Sequence, residues 1–162
     1  MNKSTLAGTA LAVAAAAASG SIASPNRTPG WYDRLRKPPY QPPKVAFPIA
    51  WTTLYGDIAA TSAVAIDRLR AAGQHDKARR YVAALGANLT LNAGWSWLFF
   101  RYHRLGASAL GAAALTVSSA DLARRAADAD ARAGAALSPY PLWCAFATVL
   151  ATHIWLVNRK SH

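Results

Sequence analysis

Five apolar segments, each near the length that carries a helix across a bilayer, take up most of the 162 residues. They run over residues 6–23, 47–66, 81–100, 105–122 and 140–157. About 20 apolar residues span the ~30 Å hydrocarbon core as an α-helix. None of the five shows the apolar/polar alternation of a strand. Lipid cannot satisfy exposed backbone groups, so the backbone must pair within each segment. These runs predict an all-α fold: a five-transmembrane-helix bundle, one domain over residues 1–162, integral to a membrane. The first segment, with Lys3 before it and Ser21-Ile22-Ala23 at its end, also has the form of a cleavable signal peptide. The rest of the chain does not read as a secreted domain, which favours a retained first helix.

A net charge of +11 would suggest nucleic acid in a soluble chain. Here Lys and Arg cluster between the apolar runs, and no groove-binding or stacking module is visible, so no nucleic-acid partner is expected. Eighteen Lys and Arg against seven Asp and no Glu suit loops held against anionic lipid headgroups. Cys144 is the only cysteine, which excludes an intrachain disulfide and any zinc site built on two thiolates. It lies in an apolar run, where a buried inert thiol is expected. Counting Lys and Arg on the two sides of five spans gives nine and nine, so the positive-inside bias does not orient the chain.

The connections differ in kind. The first, residues 24–46, holds six prolines and five Lys or Arg. Proline blocks helix continuation and favours extended or turn geometry. Such a loop folds over the bundle mouth instead of waving in water. Residues 101–104 form a tight basic turn. Residues 124–138, rich in Ala, Asp and Arg, read as a frayed helical extension.

Three stripes carry the candidate chemistry. Trp51, Leu54, Tyr55 and Ile58 share one helical face. Asn88, Asn92, Trp95 and Phe99 share another, and Trp143, Ala147, Leu150 and Ile154 a third. Aromatic walls with a few amides describe a small-molecule pocket suited to a large planar ligand. The same residues also fit a plainer reading, in which Trp and Tyr anchor the chain at the interfaces and Asn ties helices together. Asp57 lies well inside the second span, where an ionised carboxylate costs roughly 2.5–3.5 kcal/mol. It needs a proton, a partner or an interior position, and His153 in the fifth span is a possible partner. No phosphate loop, nucleophile constellation or metal spacing is present, so no metal and no firm catalytic residue are expected. Small residues recur at Ala107 and Gly111, and at Ala83, Ala87 and Gly94, where helices can approach closely.

These residues carry a family resemblance. Trp31, Tyr32, Leu35, Lys37, Pro38, Pro42 and Pro43, then Phe47, Trp51, Leu54 and Tyr55, follow one motif. Leu91, Asn92, Trp95, Ser96, Phe99 and Phe100 follow a second. Pro139, Tyr140, Trp143, Phe146, Ala147, Leu150, Ile154, Trp155 and Asn158 follow a third. In this order they resemble the TspO/translocator family, also called tryptophan-rich sensory proteins or peripheral benzodiazepine receptors. There are departures. Tyr40 stands where an aromatic, usually Trp, is expected. Ala151 replaces an Asn, and Asp57 sits at a generally apolar position. Pro141 threatens to kink the start of the fifth helix. The sterol motif of animal members lacks its Tyr, so sterol binding does not carry over.

The resemblance implies a homodimeric, multi-pass protein of the bacterial cell membrane, with a ligand pocket under the first connection. It implies a binding protein for porphyrins and related hydrophobic ligands, with a sensory or tetrapyrrole-handling role. Light-dependent porphyrin breakdown and tetrapyrrole transport are the alternatives. No cofactor is required, and protoporphyrin IX or heme enters as ligand. The candidate binding set is Tyr32, Trp51, Tyr55, Asn92, Trp95, Phe99, Trp143, Phe146 and Ala147. Trp51 and Trp143 match the positions proposed for porphyrin photochemistry.

Overall fold

The computed structural model describes residues 1–23 and 30–161; the start of the first connection, with Pro25, Arg27 and Pro29, lies outside them. Five long helices form the bundle: α1 (Lys3–Ala23), α3 (Ala46–Ala71), α4 (His75–Ser96), α5 (Leu105–Ala129) and α7 (Pro139–Asn158). Two short helices, α2 (Trp31–Arg34) and α6 (Ala131–Leu137), lie between them. A π-helical turn, Trp97–Arg101, continues α4. Each of the five expected spans falls inside one long helix, the third running on into the π turn. Helices α1 and α5 and the run Ala131–Asn158 are long and apolar enough to cross a membrane by length and composition alone. The chain is a multi-pass membrane protein.

Helices α3, α4 and α5 outrun the expected spans at the end of the bundle away from the first connection. Those extra turns are polar because they leave the hydrocarbon. They carry ion pairs of Arg124 and Arg125 with Asp121 at 2.7 Å, of Arg124 with Asp128 at 3.2 Å, and of Arg79 with Asp76. The expected frayed extension is instead ordered. Helix α5 stops at Ala129, and the Asp130 carboxylate accepts from the Arg132 and Ala133 amides at 2.9 and 3.1 Å, starting α6. Asp is a strong N-cap because its oxygen replaces a missing helical acceptor. A 3.2 Å pair with Arg68 fixes this corner to α3. Gly134 lets α6 fold back onto α5, since a Cβ there would overlap Ala127. Pro141 does not kink α7: it lies in the first turn, where helical amides have no partner to lose.

Helix α1 packs as a member of the bundle. Its buried residues Thr5, Thr9, Val13, Ala16, Gly20 and Ala23 recur every three or four positions along one face. The Thr9 hydroxyl donates to the Ala59 carbonyl at 2.9 Å, and Ser19 Oγ accepts from Trp97 Nε1 at 3.0 Å. Leu54, Ile58, Ile66, Leu85, Leu89, Leu115, Leu122 and Leu137 fill the core between α3, α4, α5 and α6. Leu11, Leu110, Val117, Leu142 and Val149 stay exposed, as a lipid-facing surface requires.

Candidate functional site

The described part of the first connection is docked over one end of the bundle, between the π turn and the end of α7. Trp31 stacks on His103, with ring centroids 3.9 Å apart and planes 12° from parallel. His103 has φ +55°, a left-handed conformation that lets the chain reverse between the π turn and α5. Trp31 also meets Phe99 edge-on at 5.7 Å. The Asn158 side chain grips both backbone groups of Arg36: its Oδ1 accepts from the amide at 3.0 Å, and its Nδ2 donates to the carbonyl at 2.9 Å. Tyr40 Oη lies 2.9 Å from His153 Nδ1. Gln41 Nε2 donates to Tyr32 Oη at 2.6 Å, and Lys44 pairs with Asp33. Lys37 stands 4.6 Å over the Tyr32 ring. Burial pushes the Tyr32 phenol above its usual range, against the opposing pull of the Gln41 bond. The described part of the expected lid is therefore docked on the bundle at several points.

Beneath it the aromatic stripes meet. Trp95 stacks on Phe99 at 5.5 Å, and Tyr32 meets Phe99 from the lid at 5.9 Å. Trp51 lies between α4 and α7, 6.5 Å from Trp95 and 6.4 Å from Trp143, meeting the latter at 88°. Tyr55 follows Trp51 at 5.6 Å, and Trp143 meets Phe146 at 5.5 Å. Eight of the nine candidate residues thus fall in one cluster of rings and amides. Ala147, one turn beyond Trp143 and half-buried, adds neither a ring nor a polar side chain. The π turn bears on this arrangement: it sets Phe99 and Phe100, at 4.8 Å, against the lid and Trp95 together. Such turns occur often at functional sites.

The polar atoms divide into two kinds. The amides of Asn88 and Asn92 are spent on the protein itself, while Gln41 Oε1 in the lid is buried without a partner among the described residues. Asn92 Oδ1 accepts from Tyr55 Oη at 2.9 Å, and its Nδ2 donates to Tyr140 Oη at 3.1 Å. Tyr140 Oη donates to Asn88 Oδ1 at 2.7 Å, and Asn88 Nδ2 donates to Ser118 Oγ at 3.2 Å. This chain ties α3, α4, α7 and α5 beside the rings, so here the helix-tying reading of the Asn residues holds. The indole donors are different. Trp95 Nε1 and Trp143 Nε1 are buried with no hydrogen-bond partner among the described residues.

Tyr140 is the node of the amide chain, so Tyr140→Phe leaves both amides short of a partner. Side-chain bonds in membrane bundles average ~0.6 kcal/mol, and a stranded buried polar group costs roughly 1–3 kcal/mol. The expected loss is about 1 kcal/mol of bundle stability, read as a lower unfolding midpoint in detergent. An unchanged midpoint would mean that the amides re-pair.

The stripes do not pair Asp57 with His153. His153 is taken by Tyr40 in the lid, and the half-buried Asp57 carboxylate forms no hydrogen bond or ion pair among the described residues. Sequence reasoning left Tyr140, Trp31, Asn158 and His103 out of the candidate set. Tyr140 and Asn158 lie on the Trp143 stripe, at three before Trp143 and four after Ile154, so helical spacing would have found them. Nothing local marks His103.

The chain was compared with known proteins. A model of the TspO/MBR family matches residues 8–156. Protein CrtK of Rhodobacter capsulatus is 32% identical, over 91% of this chain and 89% of its own length. The tryptophan-rich sensory protein of Cereibacter sphaeroides is 30% identical, over 86% of this chain and 82% of its own. The translocator protein of Ovis aries is 29% identical, over 80% and 75%.

Proposed function

We propose, since the chain belongs to the TspO/MBR family, that it is a membrane-embedded binding protein for porphyrins and related large planar ligands. Its role is sensory or in tetrapyrrole handling. The observation that supports this most is the pair of unpartnered indole donors, Trp95 Nε1 and Trp143 Nε1, within a continuous aromatic cluster under a docked lid. A tetrapyrrole offers a broad π face for the rings and acceptor atoms for the donors. Its propionates match the basic lid, where Arg34 and Arg36 are exposed. A homodimer belongs to the same reading. Ala83, Ala87 and Gly94 lie exposed along α4, and small residues there allow close approach of a second copy.

Protoporphyrin titrated into purified protein should quench tryptophan fluorescence saturably, at about one ligand per chain. Esterifying the propionates should slow binding at low salt and matter less at high salt, because a Debye length of about 10 Å at 0.1 M screens exposed cations. A linear, unsaturable quench rejects the reading.

Trp51 and Trp143, edge to face at 6.4 Å, also favour a second reading, light-dependent porphyrin breakdown. Product formed only in light and only with oxygen would distinguish it from binding alone.

A further inference from the structure

At the end of the bundle opposite the lid, two cavities meet at one guanidinium. A groove of about 450 Å³ runs between α1, α3 and α4, walled by Gly8, Ala12, Ile66, Leu85, Gly86 and Leu89. A second hollow, of about 470 Å³, opens among Arg70, His75 and Arg79. Arg70 and Val82 line both. Each volume falls in the range of about 300–1,000 Å³ found for small-molecule sites.

The groove grades from polar to apolar. Asn2, Ser4, Thr5 and Arg70 stand at its mouth. From Asn2 to Ala12 the helix rises roughly 15 Å at ~1.5 Å per residue, about half of the ~30 Å hydrocarbon thickness. Along the α1 wall the slot approaches the depth of one leaflet. Gly8 and Gly86 keep it open, since a Cβ on either would meet no atom within 4 Å.

Arg70 is exposed, with Nη1 3.4 Å from Thr5 Oγ1. It makes no ion pair within 4 Å among the described residues, although Asp67 lies near enough to feel its charge; the Asp67 oxygens take other donors. The Asn2 amide donates to one at 2.6 Å, and the Thr5 hydroxyl to the other at 2.8 Å. Arg79 pairs with Asp76, which leaves Arg70 as the principal free cation of the hollow. A cation outside any close ion pair, over an apolar slot in a membrane protein, matches one ligand chemistry, a phosphate joined to an acyl chain.

We propose that this is a site for a single anionic phospholipid. One acyl chain occupies the slot between α1, α3 and α4. The phosphate lies on Arg70, and His75 and Arg79 border the rest of the headgroup. Basic pockets between membrane helices recognise anionic headgroups in this way.

Delipidated protein in detergent would be given phosphatidylglycerol or phosphatidylcholine with the same acyl chains, and retention read by native mass spectrometry. One phosphatidylglycerol should be retained about fivefold better than phosphatidylcholine, the effect of one cation near the surface. Arg70→Gln should abolish that preference and leave weak retention of both lipids. Gly86→Leu puts a branched side chain into the slot at a position where the Cβ has room and should lower retention of both. Glycerol phosphate, a headgroup without chains, should displace neither. Equal retention of the two lipids by the wild type overturns the proposal. So does a preference that survives Arg70→Gln, retention unchanged in Gly86→Leu, or displacement by glycerol phosphate, which would make this an anion site with no chain slot.

Discussion

Exchanging Trp95 and Trp143 together for phenylalanine should weaken protoporphyrin binding about tenfold to a hundredfold, as loss of two hydrogen bonds of roughly 0.5–1.5 kcal/mol each implies. Phenylalanine keeps a six-membered ring face, so the loss falls on the pyrrole edge that carries the N–H. Both donors are buried with no partner among the described residues, a condition that costs free energy wherever no other group supplies one. The double variant should therefore unfold no more easily than the wild type, and bind less. That opposition separates a binding role from general damage. Trp97→Phe is the control. Its Nε1 already donates to Ser19 Oγ at 3.0 Å, so losing it should loosen α1 and leave porphyrin affinity alone. Equal affinity in the wild type and the double variant would reduce Trp95 and Trp143 to packing residues.

Asn158→Ala should release the lid. Two bonds between Asn158 and Arg36 are lost, worth about 1–3 kcal/mol together, so the open form should grow about tenfold to a hundredfold. Hydrogen exchange reads this at the Leu35 and Gln41 amides. Each is bonded within the lid itself, to the Tyr32 and Pro38 carbonyls at 3.2 Å, so neither loses its own acceptor. Porphyrin dissociation should speed up in proportion if the lid gates the site. Exchange at the wild-type rate would show that the Trp31–His103 stack and the Tyr40–His153 bond hold the lid without Asn158.

The long helices were legible because apolar runs in lipid leave the backbone one choice. The ring cluster was legible too, since helical spacing puts Trp51 with Tyr55 and Trp95 with Phe99 on single faces, and Pro38 through Pro43 mark a shaped loop. What escaped depends on pairings between distant parts of the chain. Asn92 was singled out for its amide, but Tyr55 and Tyr140 consume that amide from 37 and 48 residues away. The stripes could not show this. Asp57 and His153 looked complementary as charges inside two spans, but the lid competes for His153 through Tyr40, and no local pattern reports a competitor. Asp130 was readable in principle as a cap. The alanines around it hid the break, because alanine suits a continuous helix and an interrupted one equally well. The slot beside Arg70 left no mark at all, since it exists only where α1, α3 and α4 come together, with Gly8 and Gly86 among its walls.

The clasp between Asn158 and Arg36 joins positions 122 residues apart. At a synthesis rate of about 5–20 residues per second, the ribosome needs roughly 6–24 s to make the intervening chain. Until then the lid can rest on Phe99 and His103 but lacks its clasp, and Trp51 and Trp95 are present without Trp143. Two of the three aromatic stripes are then in place. The last of the long helices to be made is thus the one that adds the third aromatic stripe and fastens the lid, so a chain interrupted before it would lack both Trp143 and the clasp.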